Sequence, residues 1–139
     1  MEAKKVKENE WVVRIARGEK LVASLADFCV RKRIEGGFFF GVGAVDEAEL
    51  AHYDVGKKKY SAKKFKQPLE MVSLSGSIGK EKELIVHAHA VFADPDMQTL
   101  GGHLIEATVS GTAEIYLIPL PALAKKYDEE TGLKIFNLS

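Results

Sequence analysis

Cysteine is all but absent. Cys29 is the only one in 139 residues, so no internal disulfide can form and a cysteine-rich zinc module is excluded. Net charge is absent too: twenty Lys and Arg balance twenty Asp and Glu, which gives no support to a generally basic nucleic-acid-binding body. Four prolines and twelve glycines are too few for a fibrous or low-complexity chain. Long apolar runs are lacking; the longest, such as Gly36 to Val45, falls far short of the roughly 20 residues that span a bilayer. The segment Met1 to Glu10 is charged and polar, unlike a signal peptide. What is present is 46% hydrophobic and 29% charged residues, enough for the core of one domain. The expectation is a soluble, cytoplasmic, single-domain protein.

The balanced charge is segregated along the chain. Between Gly56 and Gln67 stand Lys57, Lys58, Lys59, Lys63, Lys64 and Lys66 with no acid, which leaves the remainder with 14 basic against 20 acidic residues. From Glu83 to Ala124 there are five acids, no Lys or Arg, and three of the four histidines. A stretch without fixed cations spares a bound cation from repulsion, whereas the lysine segment favours anions or plain solubility. Read as sequence, this is two opposite surfaces in one chain.

Residues 11–17, Trp-Val-Val-Arg-Ile-Ala-Arg, read as a strand. Gly18-Glu19 breaks it and sets an acid at the start of a helix, along which Leu21, Val22, Leu25, Phe28, Cys29 and Ile34 recur at helical spacing as far as Glu35-Gly36-Gly37. Phe38 to Val45 reads as a glycine-punctuated strand, in which Gly41 and Gly43 imply close backbone approach or a bend. Further strands are expected at Ala48 to Asp54, Leu69 to Ile78, Glu83 to Phe92, Gly102 to Val109 and Ala113 to Ile118. Pro119 and Pro121 end the ladder. Ala122 to Tyr127 is short and helical or extended, and Leu133 to Leu138 is a candidate edge strand. Many strands and one helix that do not alternate point to an α+β fold, a mainly antiparallel central sheet with one main helix.

The chemistry lies in His87-Ala88-His89 and in Gly101-Gly102-His103. On a strand His87 and His89 project together, about 7 Å apart, on a face shared with Ile85 and Val91. Leu84, Val86, Ala88, Ala90 and Phe92 occupy the other face, so both sides read as covered. A hairpin centred on Pro95 pairs His87 with His103 and His89 with Gly101, turning all three rings to one face. An even register error keeps that face; an odd one turns His103 away. In regular alternation His103 shares its side with Ile105, Ala107 and Val109, and Glu106 faces away. Three neutral imidazoles suit Zn(II), or another first-row divalent metal, with a coordination position left open. Water, Asp94, Asp96 or a group from another subunit are candidate fourth ligands, and Gly101-Gly102 lets backbone approach a ligand or neighbouring chain. His52, in His52-Tyr53-Asp54, reads as a structural or surface residue.

In this order the motifs resemble the plants-and-prokaryotes-conserved (PPC) domain, above all its stand-alone archaeal and bacterial form. The likeness rests on Trp11 to Leu25, on Gly41-Val42-Gly43-Ala44-Val45, and on Leu69 to Gly76. The most specific part is His87-Ala88-His89 followed by Gly101-Gly102-His103-Leu104 running into Val109 and Glu114. It spans a core of about residues 8–120 within a single domain of 1–139, leaving 121–139 as a C-terminal extension. The resemblance implies an α+β fold, a homotrimer built through sheet surfaces, and a metal site of His87, His89 and His103 with zinc as occupant. In plants the domain accompanies AT-hooks and is linked to DNA binding and transcription; the Arg-Gly-Arg core of an AT-hook is missing here.

Three functions compete. The first is a trimeric zinc-binding module that recognises a small molecule or protein partner, with a link to transcription open. The second is a zinc-dependent hydrolase or lyase: zinc can generate a nucleophile from water near neutral pH, and Asp94 or Asp96 is the available base, though no motif fixes either. The third is nucleic-acid binding through the lysines of Lys57 to Lys66, interleaved with Tyr60 and Phe65. Against it stands a solvated lysine loop that protects against aggregation, which the net acidic remainder favours.

Overall fold

The computed structural model describes residues 1–139. Eight strands and one helix follow in the order β1 (Glu2–Lys7), β2 (Glu10–Ala16), α1 (Leu21–Lys32), β3 (Gly37–Asp54), β4 (Lys59–Lys80), β5 (Leu84–Ala93), β6 (Thr99–Pro119), β7 (Lys125–Asp128) and β8 (Leu133–Phe136). The first six strands form one antiparallel sheet in the order β1-β2-β6-β3-β4-β5. β6 also pairs with β5, so the sheet curls until four strands close on themselves. The second sheet is the β7–β8 hairpin. The expected α+β class, mainly antiparallel with one helix, is what forms.

Long strands replace several of the expected short ones. Phe38 to Val45 and Ala48 to Asp54 are one strand, β3, and Ser110-Gly111-Thr112 does not divide β6. Register shifts beside Val45 absorb these segments as bulges; a bulge bends and twists a strand without ending its pairing. Gly41 and Gly43 lie where β3 crosses β6: a Cβ on either would strike the carbonyl oxygen of Glu114 or Thr112. Close backbone approach is therefore their role. β1 is paired with β2 although its residues are polar and exposed; a strand with no buried face leaves no alternation to read.

One face of the sheet carries α1. Leu21, Leu25, Phe28 and Cys29 share one continuous buried core with Val13, Ile15, Phe92, Ile115 and Leu117, and α1 lies over β5 and β6. The helix stops at Arg33, which takes a left-handed conformation (φ 56°) while the Ile34 N–H donates to the Cys29 carbonyl. Its first turn holds no acid and Lys20 makes no side-chain cap. Glu19 instead accepts from the Ala16 N–H and the Met1 ammonium at 2.7 Å each. The cap comes from Glu106 on β6, whose carboxylate accepts from the N–H groups of Val22 (2.7 Å) and Ala23 (3.1 Å). Glu106→Ala is expected to destabilise the fold by about 1–2 kcal/mol, the range of a lost helix cap, measured by urea unfolding; no change would show that the helix start is held by packing alone.

Candidate metal centre

β5 and β6 are joined by Asp94 to Gln98, with Ala93 opposite Thr99. The Asp94 carboxylate accepts from the N–H groups of Asp96 and Gln98, both at 2.9 Å, and Met97 takes φ 62°. This five-residue turn is centred on Asp96, not Pro95, so the register differs by two residues from the expected one. His89 faces His103, and Val91, not His89, faces Gly101. An even displacement preserves the face, and the three rings still meet.

Their centroids are 4.9 Å (His87–His89), 5.2 Å (His87–His103) and 5.4 Å (His89–His103) apart. One ring nitrogen from each lies within 4.8 Å of the others, and the Nε2 atoms of His87 and His89 are 3.1 Å apart. Tetrahedral zinc with bonds of about 2.0–2.1 Å sets its ligand nitrogens roughly 3.3 Å apart. One edge of the triangle is thus already at ligand spacing, and the others close by small ring rotations. The donor set fits the metal in a second way: Nδ1 of His103 is buried and has no hydrogen-bond partner. A buried nitrogen left so costs about 1–3 kcal/mol, a cost that a bonding partner would remove.

Regular alternation fails just beyond the site. Glu49 faces Glu106 but Leu50 faces Leu104, leaving Ile105 unopposed. Leu104, Ala107 and Val109 are consequently all in the core, so Ala107 and Val109 do not share the face of His103. The same slip undoes the alternation that turned Glu106 from the histidines; what keeps it out of their cluster is its carboxylate, engaged at the start of α1. The face of β5 that bears His87, His89 and Val91 is exposed within the chain, not covered. Gly101 and Gly102 serve the chain's own strands: a Cβ there would lie 2.8 Å from the carbonyl oxygens of Ala90 and Ala51. No carboxylate joins the histidine cluster. Asp94 is engaged in its own turn, and neither it nor Asp96 lines the cavity at the site.

That cavity, about 860 Å³, is walled by Tyr53, Tyr60 and the β7–β8 hairpin. Tyr60 connects the lysine segment to the site, its ring 5.1 Å from that of His103 and 4.6 Å from that of Tyr53. Exposed His52 is on the rim. From β7 comes Lys125, a cation that lies just beyond the cation-free stretch in sequence and enters its cavity in space. Sequence reasoning missed it, because nothing local marks Ala124-Lys125-Lys126 as part of a histidine site.

The lysine segment is no loop. Lys57 and Lys58 occupy the turn, and Lys59 to Lys66 are strand residues paired with β3. Asp54 faces Lys59, Glu49 faces Lys64 and Glu47 faces Lys66, while Lys57 approaches Asp54 at 3.6 Å and Lys64 approaches Glu49 at 3.9 Å. Charges segregated in sequence are interleaved in space.

His87 keeps an exposed surface, but the cavity walls partly desolvate it, and this, then the imidazoles of His89 and His103 and the Lys125 ammonium, push its pKa down to about 4. Burial and His89 lower that of His103 as well. Both rings are therefore neutral at pH 7, with lone pairs available to a metal. In metal-free protein the His87 ring resonances are expected to titrate near pH 4. The unfolded chain binds that proton around pH 6.5, so stability falls as pH drops from about 6.5 towards 4 and levels off below. NMR titration alongside thermal melts checks both; a midpoint between 6 and 7 would refute the desolvated site.

Comparison with known proteins bears on the same residues. The Plants and Prokaryotes Conserved (PCC) domain matches residues 3–121. The chain is similar to the crystal structure of a "putative DNA binding protein" from Bacteroides thetaiotaomicron, at 28% identity and TM-score 0.94, covering 98% of this chain and 96% of that one. It is similar to a metal-containing protein from Archaeoglobus fulgidus, at 32% identity and TM-score 0.86, covering 96% and 99%. A plant- and prokaryote-conserved protein from Pyrococcus horikoshii matches at 26% identity and TM-score 0.85, covering 98% and 93%. No curated protein matches the chain. No helix is long and apolar enough to cross a membrane.

Proposed function

The chain belongs to the Plants and Prokaryotes Conserved (PCC) domain family, and from that premise we propose that it is a trimeric, zinc-binding module whose three-histidine site receives a ligand. His87, His89 and His103 hold the ion, and the carrying observation is the convergence of the three rings, one nitrogen of each within 4.8 Å of the others. The metal-containing relative from Archaeoglobus fulgidus supports the same reading. Zinc so held is a Lewis acid with a position left for a non-protein ligand. The residues of this chain supply neutral donors, a half-open cavity and an aromatic wall. Metal analysis of untagged protein should give about one zinc per chain; protein that takes up no divalent metal overturns the reading.

The trimer is supported by the outer face of the sheet. Val12, Phe38, Phe40, Val42 and Val72 project there, each more than a third exposed, across β2, β3 and β4. Monomeric proteins rarely leave so much contiguous apolar surface in water, and a cyclic oligomer covers it. An enzymatic reading lacks a carboxylate base at the metal, since neither Asp94 nor Asp96 lines the cavity.

A nucleic-acid reading draws on the relatives named as DNA-binding and on the lysine ribbon. The acids interleaved with those lysines weaken it, because each opposed carboxylate offsets a phosphate contact. Retention on duplex DNA is expected to be weak, with an affinity no better than non-specific binding at about 10⁻⁴ M in physiological salt. Fluorescence anisotropy measures it, and a micromolar affinity lost on neutralising Lys57, Lys58, Lys59, Lys63, Lys64 and Lys66 would reinstate the reading.

A further inference from the structure

Lys125 has no role in holding a metal, yet it occupies the same cavity as the histidines. The residue is only 7% exposed. Its ammonium lies 4.6 Å over the Phe136 ring, and Phe136 lines the cavity together with His87. No carboxylate pairs with it. A largely buried ammonium without a counter-ion is costly, and one sharing a cavity with a divalent cation is costlier still. An anion bridging the two cations removes both penalties.

We infer, on the metal reading proposed above, that Lys125 and the metal's open position together bind a small carboxylate. One oxygen ligates the metal, the other accepts from the Lys125 ammonium, and the apolar remainder lies against Phe136, Ile135 and Tyr60. The wall decides the class. Lys134 also lines the cavity but is paired with Glu81 at 2.6 Å, and no arginine lines it. A phosphate presents several acceptor oxygens and is best met by arginine forks or clustered donors; here one ammonium without a carboxylate partner and the scattered hydroxyls of Ser77 and Tyr60 lie in an otherwise aromatic and aliphatic wall, the Tyr53 hydroxyl being spent on the Thr131 carbonyl.

Cobalt-substituted protein tests this through its visible absorption bands, which respond to the metal's ligands. Butyrate is expected to shift the bands saturably, and neutral butyramide to leave them unchanged. Lys125→Met should weaken butyrate at least about tenfold, the loss of one charged hydrogen bond of 1.5 kcal/mol or more, with cobalt stoichiometry unaltered. Lys125→Arg should retain most of the affinity. Undiminished butyrate binding by Lys125→Met, no band shift with butyrate, or tighter binding of inorganic phosphate than of butyrate would each overturn the inference while the metal reading stands. Loss of cobalt from Lys125→Met would overturn it too, by making the lysine a support of the metal. Failure of the unaltered protein to bind cobalt at all would overturn the metal reading, and the inference with it.

Discussion

His103→Ala is expected to empty the metal site without unfolding the protein. Zinc in four-ligand sites is held by about 10–16 kcal/mol, or roughly 3 kcal/mol for each ligand. Removing one of three imidazoles therefore lowers affinity by two or more orders of magnitude, and zinc should be lost on dialysis against a mild chelator. His87→Ala should do the same. The fold survives because the core lies on the opposite side of the sheet from the three rings: Ala88, Ala90, Phe92 and Leu104 are buried between and beside them. Metal content by mass spectrometry, with circular dichroism on the same samples, separates the outcomes. Zinc retained by both variants would end the triad assignment. Unfolding of the metal-free protein would instead make the ion a structural staple, in the manner of a zinc finger.

Phe40→Asp is expected to convert a trimer, three times the 15.3 kDa chain mass, into monomer. Phe40 is 55% exposed, stacked on Tyr116 at a centroid distance of 5.5 Å, and flanked by Phe38 and Val42 on the same face. Burying a phenylalanine side chain is worth about 1.5–3 kcal/mol, and setting an unpaired carboxylate in its place adds several kcal/mol of desolvation. That penalty recurs at every subunit contact of a closed ring. Sedimentation velocity reads the result directly. The monomer should keep its secondary structure, since Phe40 belongs to no part of the buried core. A wild-type chain that sediments as a monomer would remove the trimer from the proposal, and the apolar face would need another partner. Phe38 and Phe40 pair with Ser77 and Ser75, which pair in turn with His87 and His89. The apolar face therefore runs up to the metal centre, and a subunit seated on it would border the histidine cavity.

The alternation within Leu69 to Ile78 and the spacing of Leu21 to Cys29 were enough to place a strand and a helix, because side-chain period is a local consequence of backbone geometry. The same logic put His87 and His89 together. Where bulges intervene, local period stops being informative. At Ile105 the slip sends both Leu104 and Ala107 into the core, and at Val45 it joins two expected strands into one. The polar β1 carries no alternation at all. The pairing of His103 was half legible: its face follows from an even register, but the partner residue depends on how Asp94 folds the turn.

Charge misled in a similar way. Six lysines together in sequence predict a basic surface, yet a hairpin sets a carboxylate opposite three of them. The cation-free stretch reads as sparing a bound cation from repulsion, yet the β7–β8 hairpin brings Lys125 into the cavity of its histidines. In both cases the neighbours that set the electrostatics are distant along the chain.

By itself, then, the amino-acid order determined the α+β class, the apolar faces and three imidazoles able to share one side of a sheet. Only the folded chain decided which histidine opposes which, that Glu106 caps a helix instead of serving the metal, and that a lysine from the C-terminal hairpin lines the histidine cavity. The reason is physical: periodicity is set by bonds between adjacent residues, whereas register, bulges and the return of a C-terminal hairpin are settled by packing across the whole sheet.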